Sequence, residues 1–418
     1  MTKITKVVGR QVFDSRGNPT VEAEIYLSDK TKATAIVPSG ASTGAFEAYE
    51  LRDGNKNYFL GKSVLKAIEN INTLINKNLK NIKAGDQKKI DQILINLDGT
   101  ENKKKLGANA LLAVSLAIAK AVAISKKKEL YQHLGNKFLL PKPLVNIING
   151  GAHADNNLKI QEFMIRPDSA RNFMDAMEKC FLVIQNLKKI LQSKNLLTNV
   201  GDEGGFAPSI NSNEEALEMV VDAIEKSKLK PGKDISICLD VAANELINED
   251  GQYSLNSSKF ISVEESINYY KNLVSKFPIK SIEDPFAEND WSAWSKLTKE
   301  IGNRTQIVGD DLFVTNVSRL KRGIKEKSAN SILVKVNQIG TLTETLNVIK
   351  LAKKNNFSTI ISHRSGDTED TFIADLAVGT QSTQIKTGSL ARSERVAKYN
   401  RLLRIEEQLG KSSKIAKI

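Results

Sequence analysis

Six charged residues stand at the ends of short, β-branched runs in the second half of the chain. The runs end first in three acids and then in three bases: Asp240, Glu283, Asp310, Lys335, His363 and Lys386. Three carboxylates suit a hard divalent cation, because Mg²⁺ prefers oxygen ligands in an octahedral array. Zinc is not favoured, since the three histidines and two cysteines show no paired ligand spacing. A single strand-terminal acid can instead cap the next helix, but three in series indicate a metal site that faces basic residues.

The elements that must position these residues alternate along the sequence. The β-branched runs end at intervals of 23 to 43 residues, and most intervals contain a stretch with helical spacing of apolar residues. Strand and helix alternating in this way predict crossover units, in a number that closes a (β/α) barrel rather than an open sheet. Side chains at the carboxyl ends of the strands of such a barrel share one mouth. The six residues are therefore expected to meet in one site.

The two lysines at this mouth suggest proton abstraction. Two ammonium groups beside a metal ion repel one another, and burial opposes their charge, so we expect the pKa of Lys335 to be lowered. A neutral Lys335 could then abstract a proton, with Lys386 as the cationic neighbour that also holds a substrate carboxylate. A lysine that is simply paired with one of the carboxylates is the alternative, and it explains one of the two lysines but not both.

Three loops carry further candidate chemistry. The segment NVGDEGGFAPS at 199–209 places Asp202 and Glu203 among glycines, and either acid could act as a general acid. The segment SHRSGD at 362–367 combines a guanidinium with a hydroxyl, groups that bind phosphate. The segment VPSGASTGAFE at 37–47 offers hydroxyls and carbonyls to a metal or a phosphate, although on its own a plain flexible loop is the better interpretation.

The N-terminal third of the chain predicts a separate α+β domain. Residues 7–38 form three extended runs separated by turn signals, a pattern typical of a three-stranded antiparallel sheet. Helical spacing follows over 61–80, 86–96 and 107–125. Prolines at 141 and 143 break any helix, so we place a boundary near Leu140, between an N-terminal α+β domain over 1–140 and a barrel over 141–418.

The stretch GANALLAVSLAIAKAVAIS at 107–125 is apolar enough to raise the question of a membrane span. Its Asn109, Ser115 and Lys120 favour a buried, alanine-rich helix instead. Cys180 and Cys238 are expected to be core thiols, because the start of the chain, MTKITKVVGR, does not resemble a secretory leader. We therefore expect a cytosolic protein.

Composition and charge describe an ordinary globular protein with more than one domain-sized core. The chain has 418 residues, of which 40% are hydrophobic and 26% charged. The net charge of +13 could mean a nucleic-acid partner. The lysines are scattered singly and in twos or threes without interleaved aromatic residues, so a solvated, lysine-rich surface is the favoured interpretation.

Long motifs along the whole chain resemble those of the enolase family. They run in order from the N-terminus to the C-terminus: FDSRGNPTVE, VPSGASTG, INGGAHADN, QEFMI, NVGDEGGFAP, LDVAANE, SIEDPF, GDDLFVTN, LVKVNQIGT, SHRSGDTEDT and IKTGSLARSER. The resemblance implies reversible dehydration of 2-phospho-D-glycerate to phosphoenolpyruvate, in glycolysis and gluconeogenesis. It also implies an N-terminal α+β domain and an atypical (β/α)8-like barrel with a partly antiparallel start.

The resemblance implies ligands for two Mg²⁺ ions per site. Asp240, Glu283 and Asp310 would hold the structural ion, with Asp310 preferred to Asp311 because its spacing to Lys335 fits the family. Ser39 would ligate the second ion, which arrives with substrate. The family is also built on homodimers, some of which form octamers, and its members are cytoplasmic with a secondary surface or secreted pool in some cases.

The resemblance further implies catalytic and substrate-binding roles. Lys335 would remove the C2 proton, and Glu203, assisted by Glu162, would protonate the departing C3 hydroxyl. The remaining substrate contacts come from five residues that would meet the phosphate, the carboxylate or the body of the substrate: His153, Gln161, Arg364, Ser365 and Lys386. His363 would sit beside the phosphate end.

Two rival functions remain open at this point. Another superfamily member, such as a racemase or an acid-sugar dehydratase, would abstract a similar proton but would need no phosphate clamp, so SHRSG together with VPSGASTG argues against it. A surface-binding or RNA-binding role, suggested by the charge of +13, could coexist with catalysis.

Overall fold

The N-terminal part of the chain opens with the predicted three-stranded antiparallel sheet. The computed structural model describes residues 2–40, 44–256 and 259–418. The sheet has the order β1-β2-β3, with β1 (Ile4–Phe13), β2 (Pro19–Leu27) and β3 (Lys32–Ile36). The β1–β2 turn is closed by the Asp14 carboxylate, which accepts the N–H groups of Arg16 at 2.8 Å and Asn18 at 2.9 Å. This side-chain turn is the structural role of the FDSRGNP segment.

Within the described residues, five α-helices follow the sheet. They are α1 (Leu65–Asn70), α2 (Asn76–Leu79), α3 (Gln87–Asp98), α4 (Ala108–Ser125) and α5 (Leu130–Leu134). A π-helical turn over Ile71–Ile75 joins α1 to α2, so the stretch predicted as one helix is continuous but not uniformly α-helical. Helix α3 starts where Asp86 accepts the N–H of Lys89 and ends at Gly99, whose φ of 70° is left-handed.

Helix α4 is the buried helix that the sequence predicted. Within the described residues it is the one helix long and apolar enough to span a membrane, and 83% of it is buried inside the protein. Its polar residues have internal partners: the Asn109 side chain exchanges two 3.1 Å hydrogen bonds with the backbone of Leu51, and Ser115 donates to Asp91 at 2.7 Å. The apolar character therefore serves packing against β2 and β3.

The second part of the chain is a closed eight-stranded barrel. Its strands are β4 (Lys142–Asn149), β5 (Glu162–Arg166), β6 (Ser236–Asp240), β7 (Ile279–Glu283), β8 (Gln306–Gly309), β9 (Ser331–Val334), β10 (Ser358–Ser362) and β11 (Gln384–Lys386). β5 is antiparallel to both β4 and β6, whereas every other neighbouring pair is parallel. The partly antiparallel start implied by the resemblance is confirmed. No α-helix crosses over between β4 and β5, so β5 returns in the opposite direction.

The remaining helices belong to the barrel part of the chain. They are α6 (Phe173–Ser193), α7 (Asn213–Lys226), α8 (Val263–Lys276), α9 (Trp291–Ile301), α10 (Val317–Glu326), α11 (Val336–Ile339), α12 (Leu342–Lys354), α13 (Phe372–Gly379) and α14 (Ser393–Leu409). The predicted capping box at Ser262 and Glu265 is present at the start of α8. Thr341 caps α12 by accepting the N–H of Glu344 at 3.3 Å.

The barrel interior is filled rather than open. Six strands each contribute one side chain to a separate buried cluster: Leu144, Met164, Cys238, Val308, Leu333 and Ile360. Cys180 is buried as well, and both cysteines are free thiols, as predicted. A packed interior of this kind confines ligand binding to the strand ends.

The two parts of the chain are joined by polar contacts that cap α12. The Asp91 carboxylate of α3 accepts the N–H of Thr343 at 2.9 Å, and the Ser115 hydroxyl of α4 accepts the N–H of Leu342 at 3.0 Å. Lys103 adds an ion pair of 3.0 Å with Glu344. Groups from the N-terminal part thus satisfy the free amides at the start of a barrel helix. The boundary near Leu140 stays a prediction.

Candidate active site

Three strand-end acids converge at the carboxyl end of the barrel. Asp240 and Glu283 are direct neighbours in the β6–β7 register, and each has an oxygen 2.8 Å from the Lys386 ammonium. Asp310 follows β8 and forms an ion pair with Lys335, which follows β9. All three acids are buried. The structure therefore brings together the acids and both lysines that the strand pattern singled out.

The expected lowering of the Lys335 pKa is wrong for this structure. Burial is the largest single effect and opposes the charge, but the neighbouring carboxylates of Asp310 and Glu283 together raise the pKa of Lys335. Burial likewise opposes the charge of Lys386, yet Asp240, Glu162 and Glu283 together raise its pKa well above the usual value. In this structure both lysines are therefore paired with carboxylates, where the sequence argument allowed simple pairing for one.

The structure separates Asp310 from Asp311. Asp310 directs one oxygen to Lys335 and accepts a 2.8 Å hydrogen bond from Gln338 on the other. Asp311 instead accepts a hydrogen bond of 2.8 Å from Asn244, and burial together with the Asp310 charge raises its pKa to about 7. The choice of Asp310 over Asp311 as a metal ligand stays a prediction.

A second acidic cluster was missed by the sequence argument. Asp284 accepts the backbone N–H groups of Asp310 and Asp311, both at 2.9 Å. The ligand atoms of these three acids lie within 4.8 Å of one another. In the sequence these acids appear as adjacent pairs, ED in SIEDPF and DD in GDDLFVTN. A search for one acid at the end of each strand overlooks the second member of each pair.

Left-handed backbone follows each of the three strand-end acids. Ala242 has a φ of 50°, Asp284 a φ of 42°, and Val314 and Thr315 have φ values of 41° and 53°. Positive φ is uncommon outside glycine and is a genuine outlier for β-branched residues. Such strain collects at functional sites, where the surrounding structure holds it in place.

Glu162 and Glu203 form a buried acid pair beside Asp240, the register neighbour of Glu162. Glu162 begins β5, and Glu203 lies in the glycine-rich loop between α6 and α7. The nearest Glu162 and Glu203 oxygens lie 3.6 Å and 3.8 Å from Nδ1 of His153. Burial and the Glu203 charge raise the pKa of Glu162 well above its usual range. Burial opposes the charge of Glu203 too, but His363 and His153 hold its pKa well below the usual range.

The tight loop around Glu203 explains its glycines. A Cβ at Gly201 would lie 2.6 Å from the carbonyl oxygen of His153, and a Cβ at Gly205 would lie 2.4 Å from Oδ1 of Asn149. Real Cβ atoms essentially never approach so closely. The glycines therefore let the loop press Glu203 against the strand ends.

His363 is held in one tautomer by a residue that the sequence argument missed. Arg395 donates to Nδ1 at 2.5 Å, so the ring proton is on Nε2, which lies 3.3 Å from Glu203. Burial lowers the pKa of His363 to about 4. Arg395, fully buried, also donates to the carbonyls of Arg364 and Ser365 at 2.6 Å each. In the sequence, Arg395 is the last residue of the motif IKTGSLARSER.

The predicted phosphate end is occupied by an internal carboxylate. Arg364 and Ser365 line the same pocket as the lysines. The Arg364 guanidinium makes two contacts with Glu47, at 2.9 Å and 3.1 Å. Gln161 lies beside the acids, with its amide nitrogen 3.3 Å from Asp240. Glu47 comes from the 37–47 loop, whose residues 41–43 lie outside the described residues.

The structure does not bring Ser39 to the site. Its backbone forms two hydrogen bonds with Gly366, at 2.8 Å and 2.9 Å. Its buried hydroxyl donates to Glu50 at 2.9 Å and accepts from Arg52 at 3.3 Å. Ser39 is not among the residues that line the pocket. The expectation that Ser39 ligates the second ion, which arrives with substrate, stays a prediction, and it requires the hydroxyl to leave Glu50.

The pocket itself is lined almost entirely by charged and polar groups. Eleven predicted residues line it: His153, Gln161, Glu162, Glu203, Asp240, Asp310, Lys335, His363, Arg364, Ser365 and Lys386. Glu283 is not among the residues that line the pocket, but it contacts Lys386, which is. The acids offer oxygen donors only, and burial with repulsion from Asp240 raises the pKa of Glu283 well above its usual value. A divalent cation fits this donor set and would relieve that repulsion.

Comparisons with known proteins agree with this site. Residues 4–134 match the family model described as the enolase N-terminal domain, and residues 137–417 match the one described as the enolase C-terminal TIM barrel domain. A protein named Enolase from Pelagibacter ubique (strain HTCC1062) is 63% identical over 420 residues, with 100% of both chains covered. On these matches, which together span nearly the whole sequence, the chain belongs to the enolase family.

Proposed function

We infer that the protein is a hydro-lyase that dehydrates 2-phosphoglycerate to phosphoenolpyruvate in glycolysis, as a phosphopyruvate hydratase. The observation that carries this inference is the full-length identity of 63% to a protein named Enolase. The pocket supports it with a lysine, an acid pair and an arginine–serine clamp in one place. The reverse reaction, used in gluconeogenesis, passes through the same transition states and needs the same groups.

The enzyme uses a divalent metal, and we propose Asp240, Glu283 and Asp310 as the residues that hold it. Magnesium is typical of the family, and a stoichiometry of two ions per site is part of the proposal. When bound, the metal supplies positive charge beside the substrate carboxylate, where negative charge develops as the C2 proton leaves. Lys386, a buried ammonium, adds to that charge and orients the substrate carboxylate.

Lys335 is the proposed base for the C2 proton. General-base action requires the neutral amine within hydrogen-bond reach of the proton. The ion pair with Asp310 favours the ammonium form. Proton abstraction therefore requires this pair to loosen when the site is loaded, so Asp310 regulates the base as well as serving as a ligand.

Glu203 and Glu162 are proposed to act together on the departing C3 hydroxyl. A carboxyl group must be protonated to donate to a leaving group, and the raised pKa of Glu162 means that Glu162 carries the shared proton in this structure. Glu203, held ionised by its histidine neighbours, takes up that proton from Glu162, whose carboxylate lies within 4.8 Å of its own, before donating it to the hydroxyl. His153 lies near oxygens of both acids, which supports its proposed contact with substrate.

Arg364 and Ser365 are proposed to bind the substrate phosphate. A guanidinium fork matches two phosphate oxygens, and a serine hydroxyl donates a third hydrogen bond. His363 and Gln161 complete the walls on either side. The Glu47 carboxylate now on Arg364 has to give way or to share the guanidinium when phosphate arrives.

The direct test follows the ultraviolet absorbance of phosphoenolpyruvate after addition of 2-phosphoglycerate, with and without Mg²⁺. We expect turnover that depends on the metal. Non-phosphorylated hydroxy acids in the same assay address the racemase and acid-sugar dehydratase alternative, and we expect no turnover of them. Absence of any 2-phosphoglycerate turnover by folded, Mg²⁺-loaded protein would overturn the assignment.

A homodimer, or an octamer built of dimers, is the proposed assembly. An exposed aromatic cluster on the N-terminal part supports it: the Phe13 and Phe59 rings lie 5.9 Å apart, those of Tyr58 and Phe59 lie 4.7 Å apart, and Leu60 is 84% exposed. Apolar patches of this kind commonly mark interfaces. Light scattering at several concentrations tests it, with a constant monomer mass as the contrary result.

The enolase relationship indicates a cytoplasmic glycolytic protein whose principal partner is a phosphorylated small molecule. A secondary surface or secreted pool remains part of the proposal. A nucleic acid is not proposed as the principal partner. Filter binding to RNA across a salt series tests that view, and we expect weak binding that disappears as salt rises.

A further inference from the structure

Thr315 occupies a backbone conformation that is costly for its side chain. Val314 and Thr315 are consecutive β-branched residues with φ values of 41° and 53°, and both are fully buried. Each such residue carries backbone strain that a glycine would avoid. The strained turn therefore suggests a task for the side chain at position 315.

The Thr315 hydroxyl links the base strand to a buried amide. Oγ1 accepts the backbone N–H of Lys335 at 2.9 Å and donates to Oε1 of Gln338 at 2.7 Å. The direction of each bond is fixed, because a backbone N–H can only donate, so the single hydroxyl proton is free for Gln338. Thr315 thus orients Gln338 from the same atom that receives the Lys335 amide.

Gln338 passes this orientation on to Asp310. Its Nε2 donates to Oδ1 of Asp310 at 2.8 Å and to Oε1 of Glu47 at 3.3 Å. The flipped amide is excluded, since it would set a carbonyl oxygen against two carboxylates. Asp310 is left with Oδ2 towards the Lys335 ammonium. One hydroxyl therefore fixes both the main chain at Lys335 and, through one amide, the carboxylate that pairs with Lys335.

We propose that Thr315 and Gln338 are positioning residues that set the geometry between the Lys335 amine and the Asp310 carboxylate. This inference rests on the proposed function, in which Lys335 takes the C2 proton and Asp310 holds metal. Neither residue lines the pocket, so both act through their neighbours. Thr315 lies in the motif GDDLFVTN, and Gln338 lies in the motif LVKVNQIGT. The proposed reaction gives roles to Asp310 and Lys335 in these motifs but none to Thr315 or Gln338.

The test uses Thr315→Val, which keeps the β-branched shape and removes only the hydroxyl. Thr315→Ser restores the hydroxyl, and Thr345→Val is the matched control, because Thr345 is equally buried and its hydroxyl bonds to the Thr341 carbonyl at 2.9 Å. Four quantities are measured for each: kcat, KM, exchange of the C2 hydrogen of 2-phosphoglycerate with deuterated solvent, and thermal midpoint. The exchange reports on the base directly.

We expect Thr315→Val to slow both C2 exchange and kcat by about 10-fold, the effect of one misplaced neighbour of the reacting groups. The KM should change by less than about 2-fold, and Thr315→Ser should recover the wild-type exchange rate to within that margin. Thr345→Val should leave the C2 exchange rate unchanged, even if its thermal midpoint falls as far as that of Thr315→Val. Exchange rates that simply follow the thermal midpoint across all three variants would overturn the proposal.

Gln338→Met supplies a second measurement that does not depend on turnover. It keeps the side-chain length and removes the amide that faces Asp310, and Mg²⁺ binding to substrate-free protein is followed by calorimetry. We expect affinity to fall by about 10- to 100-fold. Unchanged Mg²⁺ affinity would overturn the role of Gln338. Wild-type protein that binds Mg²⁺ but never turns over 2-phosphoglycerate would instead overturn the proposed function, and the calorimetric comparison would still decide this inference.

Discussion

Glu47 and Arg364, 317 residues apart in the sequence, form a two-point ion pair at the phosphate end of the pocket, with contacts of 2.9 Å and 3.1 Å. Both side chains are almost completely buried. The guanidinium that would receive a phosphate is thus already satisfied by a carboxylate of the N-terminal part. Anion binding and displacement of Glu47 are therefore linked.

Replacing Glu47 by Gln should strengthen inhibition by inorganic phosphate. The amide keeps the shape of the side chain but no longer competes as an anion, so the inhibition constant should fall by about 3- to 10-fold, in the range of one ordinary net hydrogen bond. Glu50→Gln is the control, because Glu50 pairs with Arg52 on the same loop. Weaker inhibition by phosphate in Glu47→Gln would mean that Glu47 orients Arg364 for phosphate instead of competing with it.

Lys335→Ala should retain the fold and lose nearly all C2 exchange and turnover. Removing a general base costs about 10²- to 10⁴-fold in rate. Lys280→Ala, at an exposed position of β7, is the control and should keep the wild-type rate. Circular dichroism checks the fold of both variants. Retention of the wild-type exchange rate would remove Lys335 as the base.

Mg²⁺ should stabilise the substrate-free protein through the acid cluster. Binding to the folded state alone contributes about 2.7 kcal/mol to the free energy of unfolding when the ion is present at about 100 times its dissociation constant. Glu283→Gln removes one proposed ligand and should abolish most of the rise in thermal midpoint, whereas Glu300→Gln, a half-exposed surface acid, should not. An equal Mg²⁺ response in all three proteins would place the ion elsewhere.

The stability of the metal-free protein should fall as pH decreases from about 6.5 to about 4, in part through His363. The pKa of this histidine is lowered to about 4 in the folded state, against about 6.5 in an unfolded chain. Between these values the unfolded state binds more protons, so acid favours unfolding, by up to about 3 kcal/mol. Denaturant midpoints at pH 7 and pH 5 should converge in His363→Gln. The same pH dependence in variant and wild type would contradict this role.

Ser39→Ala should raise the Mg²⁺ concentration that turnover requires, if Ser39 ligates the second ion as expected. It should also lower stability by about 1 kcal/mol, because the hydroxyl donates a buried hydrogen bond to Glu50 in the substrate-free structure. Mg²⁺ titrations of turnover in wild type and variant measure the first effect, and denaturant midpoints measure the second. An unchanged Mg²⁺ requirement in Ser39→Ala would remove Ser39 as a ligand.

Residue type at strand ends predicted which acids and lysines meet at one end of the barrel. Asp240, Glu283 and Lys386 could be located because parallel strands end at one mouth whatever the details of packing. The direction of β5 could not be found that way. Its five residues are all buried, so no alternation marks a face or a direction, and only the family resemblance indicated an antiparallel start.

The site features that the sequence pattern could not predict depend on contacts between residues far apart in the sequence. The pKa of Lys335 depends on its contact with Asp310, and a sequence states neither that distance nor which of two opposing effects is larger. Glu47, Arg395 and Gln338 act through contacts formed only after folding. Their residue types are ordinary for a surface, so composition gives no reason to select them.

The capping of α12 by Asp91 and Ser115 limits how this enzyme can be rearranged. α12 begins seven residues after Lys335, so a fragment cut near Leu140 would lose the groups that satisfy its first amides, close to the proposed base. Chimaeras that exchange N-terminal parts between relatives would have to keep both side chains. The barrel therefore depends on the N-terminal part of the chain for its own structure, because residues of that part cap one of the barrel helices.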